Sequence, residues 1–217
     1  HAEGEGRSAV TIRRSTSFGR GALAPLRLVL CVLWLTCCSM WASQDTEDYL
    51  AGYPSVSSYP PLQQARCNLD FYLNRIPSEP DGDFVDVIHA EWRGDHGKLE
   101  AHHGYIQFLF PIREHGVNDL AQPLTLPEIE EMLRTPEIID RVVRSFDLML
   151  DFYGMRLVSP KTGEIKRSRS WRRRYQHLNS SFHNYLRITR ILKCLGELGL
   201  EHLQAAWVEF LVTEVVE

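Results

Sequence analysis

Five histidines, His89, His96, His102, His103 and His115, fall close together in the sequence. Imidazole is the side chain most suited to act as a general acid, a general base or a metal ligand near neutral pH. The spacing argues against a metal. No His-Glu-x-x-His pair occurs, and the adjacent His102 and His103 point to different sides of a helix, so they do not readily chelate one ion. The chain likewise has no Gly-x-Ser-x-Gly elbow, no glycine-rich phosphate loop and no dinucleotide fingerprint. Glu130 and Glu131 stand at a helix start, where carboxylates complement the helix dipole without any catalytic need. The sequence therefore predicts no enzyme, no metal site and no cofactor. A cryptic catalyst would need a pocket joining His103, His183 and carboxylates within hydrogen-bond reach.

Two other clusters speak for binding. Lys166, Arg167, Arg169, Arg172, Arg173 and Arg174 create a dense positive field, suited to a nuclear import receptor or to an anion such as phosphate. The alternative is a solvated helix face with Trp171 packed inward. No RNA-recognition or DNA-binding signature accompanies the cluster, so no sequence-specific nucleic acid is predicted as a partner. The second cluster lies further on. Projected at about 100° per residue, His183, Arg187 and Arg190 share one helix face beside Asn184, while Ile188, Ile191, Leu192 and Leu195 form a buried stripe. The two arginines either pair with acidic residues of a neighbouring helix or bind the carboxylate of a peptide or another acidic ligand. His183, Asn184, Arg187 and Arg190 are thus the candidate ligand-binding set.

The elements that must position these groups read as helices. The chain has 217 residues, 44% hydrophobic and 24% charged, with net charge -4, which suits one globular domain. Phe84, Val87, Ile88 and Trp92, then Leu99, Ile106 and Leu109, repeat at helical spacing before Pro111, which predicts an antiparallel helix pair. Thr125, Leu126, Pro127 and Glu128 spell a capping box. Thr135 and Pro136 open the longest helix, whose Ile138, Val142, Phe146, Met149 and Tyr153 form a core stripe ended by Gly154. Ser159 to Gly163 reads as a turn with strand-like flanks at Leu157 and Ile165. Helices follow from about Trp171 to Leu178, from about Ser181 to Leu198, and from about Glu201. The expected class is all-α, a compact multi-helix domain over residues 68–217 with a disordered N-terminal arm. The apolar pattern of the last helix reads as a domain truncated at its C-terminus.

Residues 1–67 read as that arm. Residues 1–21 are rich in Gly, Ser and Arg without hydrophobic periodicity. An apolar segment at about 28–42 follows Arg13, Arg14, Arg20 and Arg27, in the layout of a signal peptide or short anchor, or else of an extension foreign to the fold. Residues 44–66 read as an extended Tyr/Pro/Ser linker. Cys31, Cys37, Cys38, Cys67 and Cys194 lack the spacing of a disulfide framework and are read as reduced thiols.

The run from Tyr105 through Ile106, Gln107, Phe108, Leu109, Phe110, Pro111, Ile112 and Arg113 to Glu114, and the later run from His183 through Asn184, Leu186, Arg187, Ile188, Thr189, Arg190, Ile191, Leu192 and Lys193 to Leu203, resemble the conserved region of the opioid growth factor receptor family. The resemblance takes in Asn68 to Ile76, Leu124 to Glu131, and Phe152, Tyr153 and Gly154, and so covers most of residues 68–217; residues 1–67 have no counterpart. Phe108 stands where the pattern has tryptophan and Cys194 where it has serine, both tolerable in a packed helix. The resemblance implies a receptor, or its receptor-like paralogue, unrelated to the seven-helix opioid receptors. It implies binding of the methionine-enkephalin pentapeptide, a nuclear or perinuclear location with membrane association and a cytoplasmic pool left open, and restraint of cell proliferation. No family motif assigns peptide contacts to residues. The competing expectation is a helical scaffold or adaptor that binds a protein or nucleic-acid partner without catalysis.

Overall fold

Capping side chains, glycines and prolines decide where each helix of this chain starts and stops, and they cut it into more pieces than the hydrophobic spacing suggests. The structure, a computed structural model, describes residues 41–54 and 66–215. Among them the backbone forms α1 (Trp41–Leu50), α2 (Cys67–Tyr72), α3 (Val85–Glu91), α4 (His96–Ala101), α5 (Tyr105–Leu109), α6 (Leu126–Arg134), α7 (Pro136–Phe152), β1 (Met155–Ser159), β2 (Glu164–Arg167), α8 (Trp171–Ser180), α9 (His183–Glu197) and α10 (Glu201–Glu214). The class is all-α, with one small antiparallel hairpin.

The capping box forms at α6. The Glu128 amide donates to Thr125 Oγ1 at 3.4 Å, and the Thr125 amide donates back to the Glu128 carboxylate at 3.0 Å. The helix pair expected between Phe84 and Pro111 is instead three short helices. Gly94, at φ +81°, turns the chain after α3, and Asp95 caps α4 by accepting from the Lys98 amide at 2.9 Å. Extended backbone at His102 then ends α4. Phe84, expected on the buried stripe, precedes α3 and is 39% exposed; Val85, Ile88 and Trp92 are buried in its place. The turn after Ser159 forms as read, with Leu157 opposite Ile165. Gly154 ends α7 at φ +86°, and a Cβ there would stand 2.7 Å from that of Arg174. The glycine thus serves both the turn and the close approach of α8.

The core surrounds α7. Ile138, Val142, Phe146, Met149 and Phe152 are fully buried, and the Phe146 ring meets Trp207 of α10 edge-on at 5.2 Å. Ile188, Ile191, Leu192 and Leu195 of α9 join the same cluster, as their spacing requires.

Part of the presumed linker belongs to this body. Instead of running extended, residues 41–54 form α1 and a turn that lie against α9 and α10. Tyr53 is buried and its hydroxyl donates to Glu114 at 2.7 Å. The buried Lys193 ammonium is shared between that carboxylate and the Asp45 carbonyl. Gln204 donates to the Tyr49 hydroxyl at 3.3 Å. The apolar segment at about 28–42 lies outside the described residues except for its last two positions, which start α1. Among the described residues no helix is long and apolar enough to cross a membrane, and Cys67 and Cys194 are free thiols.

A buried polar knot joins α2, α3 and α7. Arg141 donates to both Asp86 oxygens, at 2.9 and 2.8 Å, and to the Tyr72 carbonyl at 3.0 Å. Those bonds hold the Asp86 carboxyl below its ordinary range. Ser145 spends its proton on the Arg141 carbonyl, so the 2.8 Å contact with His89 requires His89 Nε2 to be the donor. His89 Nδ1 is then a bare acceptor, buried without a partner. Protonating it would place an unpaired cation in the interior. Burial first, and the neighbouring Arg144 second, push the imidazole down to about 4 from 6.5. A folded-state value below the unfolded one means stability that is complete above pH 6.5 and lost as pH falls through 4. Urea unfolding across that window should show a fall of roughly 3 kcal/mol, and His89→Gln, which keeps the donor and cannot ionise, should flatten it. An unchanged slope in that variant would show that His89 is not the group responsible.

Candidate functional site

The end of α4 gathers polar groups from α8 and α9 and from the connections at His103 and Tyr153. Arg187 enters from α9 and is buried. Its Nη1 donates to the Leu99 carbonyl at 3.0 Å, and its Nη2 to the carbonyls of Glu100 and His102, each at 3.4 Å, and to His103 Nδ1 at 3.1 Å. The last carbonyls of a helix lack partners within it, and a guanidinium fork reaching over that end satisfies several at once. Because His103 Nδ1 accepts from Arg187, it must stay unprotonated. Burial, then the charge of Arg187, keeps the His103 imidazole below its ordinary value.

The Glu100 carboxylate lies beside this fork. One oxygen meets His183 Nε2 at 2.8 Å, and the other lies 3.1 Å from His177 Nε2 and 3.8 Å from Arg187. Burial alone would raise the Glu100 carboxyl, but His177 and His183 outweigh it and hold it low. Around this carboxylate lie buried polar atoms with bonding capacity left over. Asn184 is fully buried beside this carboxylate and helps to hold it low, though neither amide atom makes a close, well-aligned hydrogen bond; Tyr153 Oη and Arg174 Nη2 have no hydrogen-bond partner among the described residues. Buried groups of this kind are normally satisfied, so these are the positions at which a polar ligand would find open donors and acceptors. The start of α9 also exposes two apolar side chains, Phe182 next to His183 and Leu186 one helical turn on from it, at 58% and 70%.

Of the candidate ligand-binding set, the structure thus brings together His183, Asn184 and Arg187, and separates Arg190. The Arg190 Nε donates to the Phe110 carbonyl at 2.8 Å, in an apolar setting that pulls the guanidinium down to about 10. Arg187 does meet an acidic neighbour, Glu100, yet most of its donors go to backbone. Glu100 and His177 were not singled out from sequence. They carry no local motif, and only the tertiary fold puts α4 against α8.

Four of the five clustered histidines take separate partners: His89 bonds Ser145, His96 faces Asp151 at 3.4 Å, His102 contacts the Asp81 carbonyl and His103 is taken by Arg187. Among the described residues no group of three His, Cys, Asp or Glu side chains is gathered for a metal. The geometry a cryptic catalyst would need is met only in part, since the carboxylate reaches His183 whereas His103 is held by the guanidinium.

The basic cluster also divides. Arg174, expected on its surface, is a correction: it is buried, donates to the Phe152 carbonyl at 2.6 Å and lies 4.5 Å over the Phe152 ring. Burial and Arg173 lower its guanidinium. Lys166 pairs with Glu164, while Arg167 pairs with Glu214 and stacks on Trp171 at 4.2 Å. Arg172 lies 5.0 Å from the same ring, and Arg169 and Arg173 are exposed. Trp171 is partly buried against the core.

If Arg187 is a structural fork, Arg187→Lys should be costly although charge is kept, because an ammonium cannot span those carbonyls. The expected loss is about 2 kcal/mol, read from urea unfolding. A surface ligand anchor would instead leave the unfolding midpoint unchanged.

Comparison with known proteins places this body. Residues 62–217 match the model of the opioid growth factor receptor (OGFr) conserved region. The chain is 46% identical over 178 residues to mouse opioid growth factor receptor-like protein 1, covering 82% of this chain and 38% of that protein. Identity to the mouse opioid growth factor receptor is 45% over 175 residues, covering 81% and 28%. Identity to the human opioid growth factor receptor is 48% over 164 residues, covering 73% and 24%. The chain therefore spans from about a quarter to about two-fifths of these relatives' lengths. No solved structure gives a significant match. A family model that matches the described body from α2 to α10, with relatives of both named kinds at this identity, shows that the chain belongs to the opioid growth factor receptor family.

Proposed function

We propose that this helical body is the peptide-recognition part of an opioid growth factor receptor, that it binds a peptide of the methionine-enkephalin type, and that binding serves to restrain cell proliferation. Membership of the receptor family across residues 62–217 carries the reading. The site at the end of α4 supplies chemistry that suits such a ligand. A short aromatic peptide has an ammonium group, which the Glu100 carboxylate would attract, and rings, which Phe182 and Leu186 would cover. His183 already bonds that carboxylate at 2.8 Å, and Asn184 lies buried beside it with bonding capacity left over. In this proposal Arg187 acts through the site's shape, since its donors are committed to carbonyls, and Arg190 stands apart. Nuclear or perinuclear residence belongs to the same proposal, with the exposed Arg169, Arg172 and Arg173 offered to an import receptor.

Calorimetric titration of the full chain with methionine-enkephalin should give saturable binding. Phe182→Ser and Leu186→Ser, on exposed side chains that the core does not need, should each weaken it by about tenfold, the effect expected for losing one apolar contact of this size. Absence of saturable heat with folded protein at millimolar peptide would sink the proposal. Undiminished binding in both variants would place the peptide elsewhere and sink the assignment of Phe182 and Leu186.

A further inference from the structure

The connection between β2 and α8 borders an open cleft of about 680 Å³, lined by Asp151 at the end of α7, Arg156 on β1, and Arg167, Ser168, Arg169 and Ser170. Three guanidinium groups thus face one carboxylate. That carboxylate already has a contact, His96 at 3.4 Å. Arg167 is held in place by its stack on Trp171 and its pairing with Glu214. Arg156 and Arg169 differ from it: neither side chain has a hydrogen bond or ion pair among the described residues, although both line the same cleft. The two serine hydroxyls sit 3.1 Å apart, with Ser168 Oγ also accepting the Ser170 amide at 3.3 Å, so the wall between the arginines is ordered and polar.

Three cations share the border of this cleft with a single carboxylate, and an anion seated there would balance the excess positive charge. We propose that this cleft binds a phosphate dianion group. Guanidinium groups take phosphate oxygens through paired, charge-assisted hydrogen bonds, and a tetrahedral dianion has oxygens enough for Arg156, Arg169 and a serine hydroxyl together. A carboxylate, with two oxygens and one charge, would leave part of that donor set unused. Nucleic acid fits the cleft poorly, because no aromatic face lines it for a base to stack on and Asp151 would oppose a continuous phosphate track. The same dianion can arrive as free phosphate or on a phosphoserine of a protein, and its recognition chemistry is common to both. Arg169 is shared with the surface offered to an import receptor, but the cleft and the α4 site use different residues, so phosphate binding and peptide binding stand or fall separately.

The test is titration of the full chain with inorganic phosphate, with a phosphoserine peptide and with its unphosphorylated counterpart, for the native protein and for Arg156→Gln, Arg169→Gln and Arg144→Gln. Arg144 is exposed on α7 and does not line the cleft, so its variant controls for net charge. The expected result is phosphate-dependent binding that weakens about tenfold in each cleft variant and less than twofold in the control. Tighter binding of the phosphopeptide than of inorganic phosphate would assign the dianion to a protein source, and equal binding would assign it to the free ion. The proposal is overturned if neither phosphoryl probe binds at millimolar concentration, if the unphosphorylated peptide binds as well, or if Arg144→Gln costs as much as Arg169→Gln.

Discussion

A guanidinium group carried into a protein interior must find acceptors for its N–H groups, and helix C-termini are where spare carbonyls are found. This fold solves both problems together, four times. Arg141 donates to the Tyr72 carbonyl at the end of α2, Arg174 to Phe152 at the end of α7, Arg187 to Leu99 and its neighbours in the last turn of α4, and Arg190 to Phe110 just past α5. Each bond also sets a cation at the negative end of a helix dipole, which is favourable in itself. Three of these helices, α2, α4 and α5, span no more than six residues each and are too short to persist alone. They endure because an arginine from a longer helix closes them.

The site follows from that constraint. The Arg187 fork, together with the Tyr105 hydroxyl that donates to the Leu99 carbonyl at 3.0 Å, holds the turn that places Glu100 against His177 and His183. Its demand for an acceptor at His103 Nδ1 favours the neutral form of that ring, in line with the lowered imidazole. The strap formed by residues 41–54 obeys the same rule by another route. Lys193 is buried on α9, and the Asp45 carbonyl and Glu114 carboxylate supply its acceptors. Segments with little apolar surface of their own are thus held by a charge that would otherwise be unpaired, and removing one partner of such a pair costs far more than the pair is worth in net stability.

This explains what could be read in the sequence. The α6 capping box, the α7 stripe with its Gly154 stop and the Ser159 to Gly163 turn were legible because each is written in residues close in the chain. The burial of Ile188, Ile191, Leu192 and Leu195 was legible for the same reason. The division of residues 84–110 was not, because helical spacing continues through Gly94 and His102 while the backbone does not. The strap was hidden by a Tyr/Pro/Ser composition that resembles a linker, although Tyr53 is a core residue. The arginines misled most. From sequence, Arg187, Arg190 and Arg174 look like ligand-facing cations, since the acceptors they use are backbone carbonyls, which every residue possesses and which no pattern of side chains reveals.

The distinction between committed and uncommitted donors also sorts the surface. A cation whose N–H groups already fill carbonyls gains little from an arriving anion and would have to leave an acceptor unsatisfied to reach it. Recognition therefore falls to groups outside those ties. Two such groupings stand out among the described residues: beside Glu100, where Asn184, Tyr153 and one Arg174 nitrogen keep open bonding capacity, and beside the β2–α8 connection, where Arg156 and Arg169 line the cleft unpaired. The first combines a carboxylate with the exposed Phe182 and Leu186 and suits an amphipathic cation. The second combines guanidinium and hydroxyl groups and suits a compact dianion. In the two proposals, ligands of opposite charge would be sorted by which side chains the fold has already consumed, and net charge over the whole chain would have no part in the choice.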